Sequence, residues 1–232
     1  MLGATRAGKN DGNDALSTAI AGLRQCGLRA VRGDDHSTVL RLLVGRYDDL
    51  VSLRTQAACR LHVVLREVVA GGAPLRLSAD RAAKLLGSVH PEGLVGLERK
   101  QLAADLLSDV RRLDRELMAI KVRIRDAVHT TDTSLLELHG VGPIVAGLTL
   151  AYVGDPARFP TAARFASYNG TAPIEASSGP RKRHRLNPRG NRKLNHAMHL
   201  IAVTQIRHDT AGRVYYQGKL AEARRRKKRR AR

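Results

Sequence analysis

The chain has 232 residues, which is enough to bury a core in one domain or two. A formal net charge of +20 and a sequence pI of about 11.1 favour a polyanionic partner, nucleic acid first and a membrane surface second. Aromatic residues make up only 3% and Trp is absent, which argues against large stacking rings as the main binding device. There is no run of about 18 apolar residues and no apolar signal core, so we expect a cytoplasmic protein that does not enter a membrane.

Two carboxylates open the first apolar helix that the chain predicts. Asp11 and Asp14 lie three residues apart in AGKNDGNDALSTAIAGL, residues 7–23, so both side chains can project from one face of the first turn. Such a pair could share Mg²⁺, but acids at a helix start more often act as caps and as partners of the helix dipole. The residues by themselves leave both interpretations open.

The two cysteines, Cys26 and Cys59, stand far apart and show no Cys-x-x-Cys spacing. Neither a zinc site nor a disulfide framework is therefore indicated. We interpret both as buried thiols in a reducing compartment.

Two long amphipathic helices follow, separated by a short insert. In residues 39–69, and again from about 96 to 129, apolar residues recur at spacings of three and four, as expected for helices with one buried face. Gly71, Gly72 and Pro74 end the first helix, and a short helix fits at about 78–87. The pair predicts either an antiparallel hairpin within one chain or one wall of a coiled-coil dimer. The expected buried positions are 40, 43, 47, 50, 57, 61, 64 and 68 in the first helix, and 102, 106, 110, 113, 117, 120 and 124 in the second.

A different pattern begins in DTSLLELHGVGPIVAGLTLAYVGD, residues 132–155. We expect residues 135–138 to close one helix, the segment from Gly140 to Gly142 to form a tight turn, and Pro143 to begin the next helix at its favoured first position. A Gly-x-Gly between two apolar helices is typical of a helix-hairpin-helix, whose turn amides face a phosphate oxygen. The alternative is that the two glycines only permit a close crossing of helices.

The rest of the chain is again mostly helical in pattern. TAARFASYNG, residues 161–170, predicts a short helix that ends at Gly170, and TAPIEASSG predicts a turn or short strand after it. GNRKLNHAMHLIAVTQIRH, about 190–208, predicts a longer helix. No stretch shows sustained alternation with period two, so the expected fold class is mainly α. The inward positions of the longer helix are Leu194, Met198, Ile201 and Ile206.

The positive charge is concentrated at the C-terminal end. Residues 178–232 hold eighteen Lys or Arg against two acids, and so carry +16 of the net +20. Ser177 and Ser178 directly precede the first group of these cations. The segment is either a solvated basic loop or a serine nucleophile among cations that neutralise an attacked phosphodiester. The cations of this group, which are candidates for nucleic-acid binding, are Arg181, Lys182, Arg183, Arg185, Arg189, Arg192 and Lys193.

Three of these pieces occur in an order that resembles a known family. Lys9, Asp11, Asp14 and Ala15 precede a long helical insert, which is followed by HGVGP, YNGTAPIEASSG and GNRKLNHA within residues 135–208. This order resembles the DEDD-type insertion-sequence transposases related to the Piv DNA invertase, and the resemblance covers nearly the whole chain. It implies a bacterial, nucleoid-associated DNA transposase that cuts and rejoins DNA during transposition of a mobile element.

The resemblance also implies roles for single residues. Asp11 and Asp14 match the last two acids of an Asp-Glu-Asp-Asp set that binds Mg²⁺ in a RuvC-like domain. Ser178, or its neighbour Ser177, matches the catalytic serine of the C-terminal domain. The coiled coil implies a homo-oligomer, and a structured guide RNA that pairs with donor and target DNA is a further implied partner.

The same resemblance divides the chain into four parts. Residues 1–30 are the remnant of the RuvC-like domain, 31–130 the helical hairpin or coiled coil, and 131–215 the helical transposase domain with its helix-hairpin-helix-like turn. Residues 216–232 form a basic tail that we expect to be disordered on its own.

The chain departs from the family pattern at both ends. The stretch expected to supply the first Asp and the Glu would precede Lys9, so we expect a truncated product with weak or absent Mg²⁺ binding. After Tyr216 the chain ends in a basic run where the family continues as a helical tail. The prediction is a truncated DNA transposase; the alternative is a non-catalytic DNA- or RNA-binding remnant that uses the glycine turn and the basic tail.

Overall fold

The computed structural model describes residues 11–24, 35–75, 77–177 and 183–230, with side chains up to residue 223. Over these residues the fold is mainly α, as predicted, and no helix in them is long and apolar enough to cross a membrane. The helices are α1 (Asp11–Arg24), α2 (His36–Val68), α3 (Ala79–Gly87), α4 (Gly93–His129), α5 (Pro143–Val153), α6 (Ala162–Asn169), α7 (Arg192–Arg207) and α8 (Ala211–Arg230). The strands β1 (Ile174–Glu175) and β2 (His184–Arg185) pair antiparallel, and 3₁₀ turns occur at Leu135–Glu137 and Pro156–Arg158.

The chain divides into two units, Met1–Asp35 and His36–Arg232. In the first unit, α1 begins at Asp11, and both Asp11 and Asp14 are exposed in its first turn. None of the residues of α1 is buried. This helix therefore has no core of its own in the described part of its unit.

The second unit is organised around the antiparallel pair of α2 and α4. Near the start of α2, Leu40 and Val44 are buried in one core with Ile124 and Val128 from the end of α4. At the other end of the pair, α3 packs against both helices and a second core forms. The hairpin interpretation thus accounts for the buried stripes within a single chain. The second core consists of Leu61, Leu65, Ala82, Leu86, Ala103, Leu107 and Val110.

Two predictions of burial are wrong at this far end of the pair. Leu102, predicted to be buried, is exposed, because α3 packs here and the buried face of α4 runs through Ala103 and Leu107 instead. Cys59, predicted to be a buried thiol, is exposed, because the face of α2 that packs inward at this level passes through Ala58 and Leu61. Cys26 lies outside the described residues.

The helix α5 lies against both long helices at the base of the pair. An added Cβ at Gly147 would come within 2.9 Å of Ile124 Cγ2, so this glycine lets α5 approach α4 closely. At the end of α5, Arg41 donates a hydrogen bond to the carbonyl oxygen of Ala151 at 3.0 Å. This places a positive charge where the helix dipole favours it. On the other side α7 completes the core with Leu194 fully buried.

The C-terminal end departs from the predicted organisation. The prediction of a disordered tail from residue 216 is wrong, since α8 begins at Ala211 and continues to Arg230. Ala, Leu, Glu, Lys and Arg are all strong helix formers, and cations near a helix C-terminus interact favourably with its dipole. An ion pair between Lys219 and Glu222 at 3.0 Å adds a small local stabilisation. These terms outweigh the repulsion between neighbouring cations that led us to expect disorder.

Candidate nucleic-acid interface

The serine candidates lie at the end of a small β-hairpin. Ile174 stands opposite Arg185, and Glu175 opposite His184. The backbone N–H of Ala176 then donates to the carbonyl of Arg183 at 2.8 Å, and Ser177 is the last described residue before the gap at 178–182. The predicted strand after α6 is confirmed, and it pairs with part of the basic segment. Ser178, Arg181 and Lys182 lie outside the described residues.

Ser177 connects the two arms of this hairpin. Its hydroxyl donates to Glu175 Oε1 at 2.7 Å and accepts from the backbone N–H of Arg183 at 3.2 Å. A serine nucleophile needs a group that takes its proton, and Glu175 stands where such a base would stand. The same two bonds also suit a residue that braces the loop. Sequence reasoning missed Glu175, although residues two apart in a strand share one face and could have indicated it.

Two glycines that touch hold the base of the hairpin. Gly170 ends α6 with a φ of +78°, a conformation that glycine adopts readily. An added Cβ at Gly190 would lie 2.5 Å from the nitrogen of Gly170 and 3.0 Å from the carbonyl carbon of Asn169. The N–H of Asn191 donates to the Tyr168 carbonyl at 2.7 Å. These contacts, the glycine clasp, fix both ends of the segment 171–189.

Replacing Gly190 by alanine is expected to lower the free energy of unfolding by about 3 kcal/mol, because the added methyl group meets backbone atoms that cannot rotate away. Urea unfolding followed by circular dichroism measures this change. Gly45→Ala is the matched control, since Gly45 lies within α2 with nothing within 4 Å of an added Cβ. The control should be neutral or up to about 1 kcal/mol more stable than the wild type. Equal midpoints for Gly190→Ala and the wild type would contradict the close approach of the two backbones.

The described cations of the basic segment differ in their surroundings. Arg183, Arg185, Arg189 and Arg192 are exposed. Lys193 instead forms an ion pair with Asp48 of α2, and this hydrogen bond raises the pKa of Lys193. Lys193 therefore ties α7 to α2, and a contact between Lys193 and nucleic acid would compete with that ion pair.

The two glycines of the predicted turn have different tasks. Gly140 has a φ of +86°, and an added Cβ would lie 3.0 Å from Thr204 Cβ of α7, so Gly140 serves the close packing of the turn on α7. Gly142 is exposed, with nothing within 4 Å of an added Cβ. It is the N-cap of α5 and offers no side-chain cap, while Pro143 takes the first helical position as predicted. Of the two, Gly142 leaves its backbone open to a phosphate oxygen.

The helix expected before this turn is not formed. Residues 135–138 were expected to close a helix, but Leu135–Glu137 make a single 3₁₀ turn. The segment between the end of α4 at His129 and Gly140 is short, and Thr133 accepts a hydrogen bond from the N–H of Leu135 at 3.3 Å, which favours a turn. The turn therefore resembles a helix-hairpin-helix only on its α5 side.

The predicted metal ligands belong to the first unit of the chain, Met1–Asp35. Asp11 and Asp14 share the first turn of α1, as the spacing predicts. Across the residues that the structure describes, no group of three or more His, Cys, Asp or Glu could hold a metal ion. Two carboxylates could bind one Mg²⁺ with water as the remaining ligands, but they do not form a dedicated cage.

Comparison with known proteins identifies the C-terminal part of the chain. Residues 132–217 match the family model for transposases of the IS116/IS110/IS902 family. The chain is 29% identical to an uncharacterized 42 kDa protein of insertion element IS900 from Mycobacterium paratuberculosis, over 94% of this chain and 66% of that protein. It is 38% identical to an uncharacterized 43.6 kDa protein of insertion element IS110 from Streptomyces coelicolor, over 48% of this chain and 28% of that protein.

A third relative is also similar over more of the chain than the family match covers. It is an uncharacterized 44.8 kDa protein of insertion element IS116 from Streptomyces clavuligerus, 30% identical over 75% of this chain and 45% of that protein. The chain spans less than two thirds of the length of each of these three relatives. The family match itself includes the glycine turn, the β-hairpin, the glycine clasp and the start of α8. Residues 132–217 are therefore similar to the transposases of the IS116/IS110/IS902 family.

Proposed function

We propose that this chain acts as a DNA transposase, which cuts and rejoins strands through a covalent bond between phosphorus and Ser178. The observation that carries the proposal is the match of residues 132–217 to a transposase family. That match covers the segment in which two serines precede a dense group of cations. DNA is accordingly the proposed partner of this segment.

The chemistry needs a nucleophile, a place for its proton and positive charge. As the serine hydroxyl attacks, it gives up its proton and its oxygen forms a bond to phosphorus. The bond from phosphorus to one strand oxygen breaks, and that oxygen takes up a proton, so no proton is gained or lost overall. The pentacovalent centre carries extra negative charge, which preorganised cations stabilise. Arg183, Arg185, Arg189 and Arg192 are exposed around the hairpin, and a guanidinium group can bind phosphate through two hydrogen bonds. In the rejoining reaction the same steps run in reverse, and the oxygen of a different strand attacks the phosphorus.

We assign different roles to the two serines. Ser177 already donates one hydrogen bond and accepts another within the hairpin. This supports a bracing role, in which Ser177 and Glu175 hold the loop that carries Ser178. Ser178 is then the nucleophile, with Ser177 as the second candidate.

Trapping of the covalent intermediate tests the proposal. The chain is incubated with supercoiled DNA that carries the ends of its own insertion element, denatured, and digested with nuclease and protease. Mass spectrometry should find a nucleotide attached to the peptide that contains Ser178. DNA that binds but never gives an adduct would favour the non-catalytic alternative instead.

Two further partners belong to the same proposal. A guide RNA is implied by the family resemblance alone. Self-association is supported by exposed apolar side chains at the start of α4, where Leu94, Val95 and Leu102 line an open groove of about 480 Å³. A second copy of the chain that covered this groove would remove those side chains from water.

Mg²⁺ is expected to bind weakly to the chain on its own through Asp11 and Asp14. Mg²⁺ is strongly hydrated, and two exposed carboxylates compensate little of the free energy that it costs to remove its water ligands. Isothermal titration should show no saturable binding stronger than roughly 1 mM. The double variant Asp11→Asn, Asp14→Asn is the control and should give the same heats. Tight stoichiometric binding that this double variant loses would contradict the expectation.

A further inference from the structure

The helix α8 exposes aromatic side chains in a chain that has few of them. The whole sequence contains five Tyr, two Phe and no Trp. Two of these tyrosines, Tyr215 and Tyr216, are neighbours on α8, and Tyr215 is 70% exposed. Val214 beside them is 66% exposed. Neighbouring exposed apolar and aromatic side chains such as these are typical of interaction sites.

One cation lies over the Tyr215 ring, and further cations follow along the sequence of α8. Lys219 lies one helical turn after Tyr215, and its ammonium nitrogen is 5.6 Å from the centre of the Tyr215 ring. Arg213 precedes the pair, and the sequence continues with seven consecutive cations at residues 224–230. The acid of this helix, Glu222, pairs with Lys219. Four residues of helix rise about 6 Å, so Lys219 lies about that far along the helix axis from Tyr215, and the seven consecutive cations begin about 14 Å from Tyr215.

We propose that Tyr215 is a stacking site for an unpaired base of single-stranded DNA, with Arg213, Lys219 and the following cations on the adjoining phosphates. Stacking on a side chain requires a base whose face is free, which duplex DNA does not offer. This proposal rests on the proposed function, because a reaction that cuts and rejoins strands exposes unpaired nucleotides beside the site. It goes beyond that function by naming the strand state that α8 recognises.

Two other occupants of this helix fit the observations less well. Tyr216 and Leu220 are four residues apart, as in the seam of a coiled coil, but only Ala223 follows them at that spacing before the run of cations. Residues 221–230 contain no apolar residue larger than alanine. This half of α8 therefore has no apolar face that could pack on a second α8 or enter a membrane surface. Like charges at 224–230 would also repel a second copy.

Direct binding measurements on the full chain test this assignment. Fluorescence anisotropy gives the affinity for a labelled 20-nucleotide oligothymidylate and for a 20-base-pair duplex at one salt concentration. Tyr215→Leu should weaken binding of the single strand by about tenfold and change binding of the duplex by less than about twofold. Tyr215→Phe keeps the ring and should bind like the wild type. Val214→Ala, the neighbouring control without a ring, should also bind like the wild type.

Several outcomes would overturn the assignment. Equal losses on single strand and duplex, or no loss on either, would show that Tyr215 does not stack on a base. A more than tenfold preference for oligouridylate over oligothymidylate would assign the site to RNA, and binding to anionic vesicles that Tyr215→Leu abolishes would assign it to a membrane. None of these measurements requires strand cutting. If Tyr215→Leu weakens single-strand binding but no covalent adduct forms, this inference stands and the proposed function fails. If an adduct forms but Tyr215→Leu binds single strands normally, the proposed function stands and this inference fails.

Discussion

Replacing Ser178 by alanine should abolish the covalent adduct with DNA while leaving the affinity for DNA almost unchanged. The substitution removes the only oxygen that could form the bond to phosphorus at this position. It leaves the cations in place, and these supply most of the binding free energy to a phosphate backbone. Adduct yield on denaturing gels and affinity by filter binding measure the two effects separately.

Ser177→Ala is the matched control for this experiment. It removes the hydroxyl that links Glu175 to the Arg183 amide and leaves Ser178, the proposed nucleophile, in place. We expect the remaining adduct to map to Ser178 and its yield to fall by roughly tenfold, which corresponds to about 1.4 kcal/mol and lies within the range for two lost hydrogen bonds of this kind. The reverse pattern would make Ser177 the nucleophile with Glu175 as its base. An adduct that survives loss of both serines would exclude the serine mechanism.

Affinity for DNA should fall on the order of 10³-fold or more between 50 and 200 mM salt, because the cations of residues 178–232 can neutralise about 6–10 phosphates. Sequence preference should be slight. The Arg-rich segment and the open backbone at Gly142 both address the phosphate backbone, which carries no base sequence. Deleting residues 223–232 should therefore lower the salt slope and weaken binding to all sequences alike.

Single substitutions sharpen this test. Arg189→Gln should lower the slope by about one, as loss of one phosphate contact does, whereas Arg123→Gln should leave it unchanged. Both arginines are exposed, but Arg123 lies on α4 outside the basic segment. A deletion variant that kept the full slope, or that lost affinity for one sequence only, would show that the end of α8 is not an electrostatic anchor.

The helices could be predicted from the sequence where burial is periodic. The stripes of α2 and α4 gave both helices to within about three residues of their observed ends, because each face packs against the other along its length. The end of the chain was misjudged because charge repulsion was weighed without helix propensity. At the start of α4, Ala103 and Leu107 are buried in place of Leu102 because α3 packs there. The local sequence pattern does not reveal that α3 would be the neighbour.

The site was only partly within reach of the sequence. Serines followed by arginines stand next to one another in the chain, so their proximity needs no fold. The ion pair between Lys193 and Asp48 joins residues 145 positions apart, and the glycine clasp depends on the path of two backbones. Contacts of this kind arise from packing, and one sequence without relatives aligned to it carries no signal for them.

The antiparallel pair of α2 and α4 also constrains how the molecule can change in length. The helices have 33 and 37 residues, so α4 spans roughly 55 Å at 1.5 Å per residue. One residue inserted in either helix would turn everything beyond it by about 100° and carry the buried stripe out of contact with its partner. Seven residues added to both helices nearly restore the original facing. We therefore expect insertions or deletions to change the separation between the two cores only in steps of about two helical turns.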